Sequence, residues 1–316
     1  MTRVLVTGAS GFVGRAVCDA LLKSGYGVRV ALRGVTSYAP RGTEPVVVGS
    51  IGSDTHWEAA LEGVDSVIHL AARVHILDST VADEDLFVET NARGTGNLAR
   101  AAVRAGGRRF IYLSSIKVNG EQTRGRPFTA LDEPAPEDAY GKSKWLGEQA
   151  VMAATRDSGL SAVILRPPLI YGPGVRANFL ALLRWVERGW PLPLGGIENA
   201  RSLVSIWNLT DLILCMLRHP DAGGRTWMVS DDLDLSTPEL IRMIGRAMQR
   251  RVMLMPVPAA LLRVAGTLTG RAAAVQKLCS SLVVDVTQTR RLLGWKPPVD
   301  VEESIARTVR SYRESQ

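Results

Sequence analysis

Short apolar runs alternate along the first half of the chain with stretches in which apolar residues recur every three or four positions. The runs Arg3–Thr7, Val28–Leu32, Pro45–Val48, Ser66–Leu70, Arg109–Leu113 and Ser161–Leu165 are rich in β-branched residues and predict strands. Between them Phe12–Ser24, Asp54–Leu61, Asp85–Ala105 and Ala139–Asp157 show helical spacing. Strands that are nearly all apolar and separated by helices predict a parallel sheet covered on both faces, an α/β architecture. After Arg166 the rhythm breaks at Pro167-Pro168, Gly172-Pro173-Gly174 and Pro191-Leu192-Pro193-Leu194-Gly195-Gly196. The break predicts a sheet domain at residues 1–170, joined again by 203–220, and a smaller lobe occupying most of 171–316.

Composition narrows the class. The chain has 316 residues, 46% hydrophobic and 22% charged, an ordinary balance for a globular protein. No run has the length of a bilayer span. The first residues enter a strand at once, so no signal peptide is expected. Cys18, Cys215 and Cys279 are scattered and odd in number, which suggests neither a disulfide framework nor a metal site and points to a reduced cytoplasm. The net charge of +7 is dispersed, with pairs such as Arg108-Arg109, Arg250-Arg251 and Arg290-Arg291 but no basic block. Solvated surface or a small anionic ligand accounts for it; a nucleic-acid partner is not expected, and without a spanning run neither is a membrane.

Two motifs carry candidate chemistry. Thr7-Gly8-Ala9-Ser10-Gly11-Phe12-Val13-Gly14 lies between the first strand and the first helix. Its glycines permit a tight turn and close backbone approach to a diphosphate at the helix N-terminus, which in a β-α-β context predicts a dinucleotide-binding Rossmann domain. An acidic residue after the second strand would hydrogen-bond an adenosine 2′-hydroxyl. This chain has Ala31-Leu32-Arg33 instead, and Arg33 can pair with a 2′-phosphate, favouring NADP(H) over NAD(H). The second motif is Tyr140-Gly141-Lys142-Ser143-Lys144, with Ser114-Ser115 ending the fifth strand. On a helix, Tyr140 and Lys144 share one face. A lysine beside a phenol lowers its pKa, and a serine hydroxyl nearby can orient a carbonyl oxygen, together an acid/base device. The same spacing also occurs on solvated helix faces.

With these motifs in place, the chain resembles the extended short-chain dehydrogenase/reductases, in particular the NAD-dependent epimerase/dehydratase family acting on nucleotide sugars. Further markers follow in order: His69-Leu70-Ala71-Ala72, Asn91-Ala92-Arg93-Gly94-Thr95, Arg166-Pro167, Tyr171-Gly172-Pro173-Gly174, Arg201, and Leu293-Gly294-Trp295. The resemblance implies that Ser115 orients the reacting oxygen, Tyr140 is the general acid/base, and Lys144 binds the nicotinamide ribose while lowering the Tyr140 pKa. It implies a cofactor surface made of Gly8, Ser10, Gly11, Phe12, Val13, Gly14, Arg33, Ser50, Ile51, Leu70, Ala71, Ala72, Asn91, Pro167 and Ile170 together with Tyr140 and Lys144. A UDP-sugar would meet Ser115, Asn178, Pro193, Leu194, Arg201 and Lys277. A homodimer is implied too, through the helices near Asn91–Ala105 and Ala139–Ala154.

Departures from the family's patterns select a reaction. Dehydratases carry Asp-Glu after the active-site hydroxyl residue, whereas Ile116-Lys117 follow Ser115, so dehydration is not expected. Hexose 4-epimerases have an acidic residue after the second strand and an asparagine where this chain has Leu169. Ser50 replaces an aspartate near the adenine. What remains most resembles nucleotide-sugar 4-ketoreductases acting on UDP-4-keto-6-deoxy amino sugars for surface polysaccharides. A UDP-hexose 4-epimerase with tightly held NAD is the alternative, and a non-catalytic NADP(H)-sensing regulator a remote one.

Overall fold

The computed structural model describes residues 2–74, 81–270 and 272–316. Among them the strands are β1 (Arg3–Thr7), β2 (Gly27–Leu32), β3 (Glu44–Val47), β4 (Ser66–His69), β5 (Arg109–Leu113), β6 (Ser161–Arg166), β7 (Leu169–Tyr171), β8 (Leu203–Ser205) and β9 (Arg225–Met228). One parallel sheet runs β3-β2-β1-β4-β5-β6-β9, and β7 pairs with β8 apart from it. The strand order reverses between β1 and β4, which opens a crevice beyond their carboxyl ends where doubly wound sheets bind ligands.

Period-two alternation explains how the sheet is covered. Val4 and Val6 point to one face, against Val17, Cys18 and Leu21 of the Phe12–Lys23 helix and Leu209 and Ile213 of the Ile206–Arg218 helix. Leu5 points to the other, with Val67, Phe110 and Ile164 under Leu98, Ala102 and Val151. A third apolar cluster joins Phe179, Leu183, Ile241, Ile244, Ile305 and Val309. The three cysteines are free.

The six predicted strands all form, β1 and β5 at the predicted bounds and the other four with ends shifted by a residue. Pro45 is accommodated because β3 is an edge strand, with one side unpaired. β9 escapes sequence reading because Arg225-Thr226-Trp227-Met228 is too short for a period; Trp227 is anchored by donating from Nε1 to the Ala222 carbonyl at 2.8 Å. The helix expected over Asp54–Leu61 shrinks to Glu58–Leu61. Thr55 Oγ1 takes the Gly52 N–H at 2.8 Å and donates to the Ser50 carbonyl, offering the backbone a turn in place of a helix. The single helix expected over Asp85–Ala105 is instead Val81–Val88, a π-helical turn at Glu89–Gly94, and Thr95–Arg104. A π turn inserts a residue and re-aims side chains, and here it directs Asn91 inward.

Candidate active site

β1 ends at Thr7, and Gly8 turns the chain with a φ of +72° that other residues resist. A Cβ on Gly8 would lie 2.7 Å from the Ala71 nitrogen, and one on Gly14 only 2.1 Å from the Gly8 carbonyl oxygen. The loop can therefore close only with glycine at these positions. It delivers the N-terminus of the Phe12–Lys23 helix to the crevice, and no side chain caps that terminus. Free N–H groups at a helix start, beside bare backbone, suit a diphosphate. This cradle fits a dinucleotide.

Beneath it, Thr7 Oγ1 accepts the Ala71 N–H at 3.1 Å and shares a hydrogen bond with His69 Nδ1 at 2.7 Å, while His69 Nε2 meets Thr95 Oγ1 at 2.9 Å. Burial, helped by the Lys144 charge, pushes His69 down to about 3. In the unfolded chain it titrates near 6.5, so below that pH the unfolded state binds a proton the folded state refuses. Stability is therefore expected to fall as pH drops from 6.5 towards 3, by about 3 kcal/mol at pH 4 from this group. Urea unfolding of wild type and His69→Asn across that range checks it: the variant should show the shallower acid loss.

The catalytic candidates converge at the end of β5. Ser114 N donates to the Leu165 carbonyl at 2.7 Å and Ile116 N to the Pro167 carbonyl at 3.0 Å, which pins the segment carrying Ser115 beside the end of β6. Asp138 caps the Ala139–Thr155 helix by accepting the Gly141 N–H at 2.7 Å, so Tyr140 lies in the first turn and Lys144 one turn on. Ser115 hydrogen-bonds the Tyr140 phenol. Lys144 is 1% exposed; its ammonium donates to the Leu113 carbonyl at 2.6 Å and sits 4.1 Å from the centre of the Tyr112 ring.

The electrostatics correct one expectation. Burial, then the Asp138 charge, pushes Tyr140 up to about 12 against the opposing Ser115 hydrogen bond. Burial pushes Lys144 down to about 7, with Glu148 opposing. Lys144 does not offset the burial of the phenol, because desolvation weakens its own charge. The Tyr140 phenol is therefore held neutral.

A cavity of about 1540 Å³ joins these parts. Its wall includes Gly8, Ser10, Gly11, Phe12, Val13, Gly14, Arg33, Leu70, Ala71, Ala72, Ser115, Tyr140, Lys144, Pro167 and Ile170, and at the far end Asn178, Arg201 and Lys277. Arg201 donates to the Lys277 and Ser280 carbonyls at 2.8 and 3.0 Å, so its guanidinium sits at the C-terminus of the Ala272–Cys279 helix. Five expected contacts fall outside the wall. Ser50 is exposed, and Ile51 packs on the sheet's apolar cover. Leu194 is buried in the apolar cluster around Phe179, and Pro193 beside it is half-buried off the wall. Asn91 is fully buried: it accepts the Arg73 N–H at 2.8 Å and donates to the Arg73 carbonyl and Ser143 Oγ at 2.9 Å each, tying the segment after β4 to the Tyr140 helix.

Lys117, noted only as a replacement for an acid, is bonded to Asp138 and, at 2.7 Å, to Glu121. Burial disfavours its charge, but those two carboxylates outweigh it and raise its pKa. The sequence reading missed Glu148. It is 2% exposed, accepts from Ser114 Oγ, and receives Arg166 through Nε at 2.9 Å and Nη2 at 2.6 Å. Arg166 also donates to Asn119 at 2.9 Å. The signal was present, since Tyr140, Lys144 and Glu148 recur at four-residue steps on one helix face.

Residues 4–230 match the NAD dependent epimerase/dehydratase family. The chain belongs to that family. It is an NAD(P)-dependent enzyme of the extended short-chain dehydrogenase/reductase type. Over 315 residues, spanning 98% of this chain and 95% of the relative, it is 42% identical to UDP-glucose 4-epimerase of Vibrio cholerae. It is 27% identical to the N-acetyl-alpha-D-glucosaminyl-diphospho-ditrans,octacis-undecaprenol 4-epimerase of Escherichia coli O157:H7, covering 97% of this chain and 94% of that protein. Its fold is similar to that of UDP-glucuronic acid 4-epimerase from Bacillus cereus in complex with NAD, with a TM-score of 0.80 at 21% identity over 99% of both chains. The same holds for the UDP-glucose 4-epimerase of Thermotoga maritima with UDP-glucose, at 0.78 and 23% over 99% of both.

Proposed function

We propose that this family member reduces the C4 ketone of a UDP-linked 4-keto-6-deoxy-hexosamine with NADPH. The observation that carries this reading is Arg33. It is exposed on the cavity wall one residue past β2, with no ion-pair partner among the described residues and no carboxylate in the segment around it. A cation there favours a cofactor with a 2′-phosphate, and an enzyme that spends NADPH releases its cofactor each turnover. When bound along the glycine cradle, the nicotinamide supplies the hydride. Tyr140 gives its phenolic proton to the oxygen at C4, and Ser115 hydrogen-bonds that oxygen as charge develops. The proton donor stays available at neutral pH because Tyr140 titrates at about 12. Arg201, Asn178 and Lys277 offer the far end of the cavity to the UDP diphosphate, which orients the sugar at a distance from the reacting carbon. The carboxylates near Ser115 are bonded to Lys117, which supports reduction over dehydration.

A second reading, a UDP-hexose 4-epimerase that retains NAD, is favoured by the 42% identity to the Vibrio cholerae protein. Incubating the purified enzyme with a freshly generated UDP-4-keto-6-deoxy-N-acetylhexosamine and NADPH, beside UDP-glucose with NAD, separates them. Stoichiometric NADPH oxidation is expected with the first. Interconversion of UDP-glucose and UDP-galactose without added reductant, by protein purified with bound NAD, would favour epimerisation. Arg33→Ala is expected to raise the KM for NADPH about tenfold and leave that for NADH unchanged; equal changes for both cofactors would remove the argument from Arg33.

A further inference from the structure

From Met253 to Leu268 the sequence contains a single charged residue, Arg263, yet much of this segment faces solvent. Leu268 is 82% exposed, Met253 62%, Leu261 60% and Val264 58%. Leu261, Val264 and Leu268 stand at i, i+3 and i+7 on the Ala259–Leu268 helix and form one outward stripe. The helix packs through its other side, where Leu262 reaches the lobe's core and Gly266 lies against Val275. Met253 and Met255 lie on the adjoining strand-like segment, which is held to the residues after Trp190: Leu192 N donates to the Met253 carbonyl at 2.9 Å and Met255 N to the Leu192 carbonyl at 2.8 Å. Trp190 is itself 57% exposed. Single exposed apolar side chains are ordinary, but a contiguous group of large ones marks an interaction surface.

Charge points to the occupant. Between Glu239 and Asp285 every charged residue in the sequence is an arginine or a lysine. Arg250, Arg251 and Arg263 are exposed and enter no ion pair among the described residues. An apolar stripe carrying Arg263 on the same helix, preceded by an exposed Arg250-Arg251 pair and with an exposed tryptophan two residues before Leu192, matches the surface of a bilayer containing acidic lipids. A second copy docked face to face would instead bring like charges together.

We propose that the Met253–Leu268 segment docks this protein on the surface of an anionic lipid bilayer. Leu261, Val264 and Leu268 enter the boundary between headgroups and acyl chains, and Arg250, Arg251 and Arg263 meet lipid phosphates. No described helix is long and apolar enough to cross a membrane. The sequence expectation of no membrane partner rested on that missing span, which a helix lying in the interface does not need. The next helix, Ala272–Cys279, brings Lys277 and Leu278 to the cavity wall, so docking sets that wall beside the membrane.

Co-sedimentation of the full chain with vesicles reads this independently of turnover, so its failure leaves the reaction proposed above untouched. The protein is expected to sediment with vesicles of phosphatidylglycerol and phosphatidylcholine, and about tenfold less with phosphatidylcholine alone. The variant Leu261→Ser/Val264→Ser/Leu268→Ser should lose roughly tenfold or more of the bound fraction. Arg250→Glu/Arg251→Glu, which leaves the stripe intact, should lose about tenfold on the acidic vesicles. Both variants should keep the wild-type melting temperature and cofactor binding. Wild type remaining in solution with acidic vesicles overturns the proposal, as does a triple-serine variant that sediments like wild type. An oligomer in lipid-free buffer that the triple-serine variant dissociates also overturns it, since the stripe is then a subunit interface.

Discussion

Tyr140→Phe is expected to lower kcat by roughly a hundred- to ten-thousandfold while leaving the Kd for the nicotinamide cofactor within a factor of about three. The phenol oxygen is the group that Ser115 hydrogen-bonds, and it is held neutral, with a pKa of about 12, by burial and by the Asp138 charge. Removing it deletes the proton proposed for the C4 oxygen but keeps the ring, which packs edge-on against Phe87 at 6.4 Å between centroids. Stopped-flow NADPH oxidation with the ketone substrate reads the chemical step, and fluorescence titration reads cofactor affinity. Retained turnover in the variant would remove Tyr140 from its role. A parallel loss of cofactor affinity would show that the ring, rather than the proton, had been the contribution.

Arg166→Met is expected to destabilise the fold by about 3–5 kcal/mol, because it strands the Glu148 carboxylate at a site with almost no solvent access. That is a large part of the total stability of an ordinary domain, about 5–15 kcal/mol. The Glu148–Arg166 pair holds both ends of the Ser115 segment, through Ser114 on one side and Asn119 on the other. Turnover should therefore fall as well, through a displaced Ser115 and a Lys144 that keeps less of its charge. Glu148→Met/Arg166→Met removes both charges and should recover more than half of the lost stability in urea unfolding. Two single losses that simply add would mean the residues do not act as a pair.

The periodicity of the first half was sufficient to predict the six strands and the order of strand and helix, because an apolar run buried on both faces leaves little alternative to a covered parallel sheet. The glycine loop was equally legible: at Gly8 and Gly14 no Cβ fits, so residue identity alone reports the backbone's path. Ser115, Tyr140 and Lys144 could be named from spacing and family resemblance, since helix geometry fixes the four-residue step. Long-range partners could not be named in this way. That Asn91 ties the Arg73 backbone to Ser143, that Leu194 is core, and that Glu148 is clasped by Arg166 are contacts between segments distant in sequence, and no local period encodes them.

The charge state of the site belongs to the same class. By itself the sequence determined which groups are the catalytic candidates and that Tyr140 and Lys144 share a helix face. Only the tertiary structure decided their protonation, because desolvation depends on every segment packed around a group and here it is the largest influence on both. A lysine expected to draw the phenol's proton away is itself buried towards neutrality at about 7, and the phenol keeps its proton up to about 12. Sequence placed the pair side by side, and burial decided which of them holds the proton.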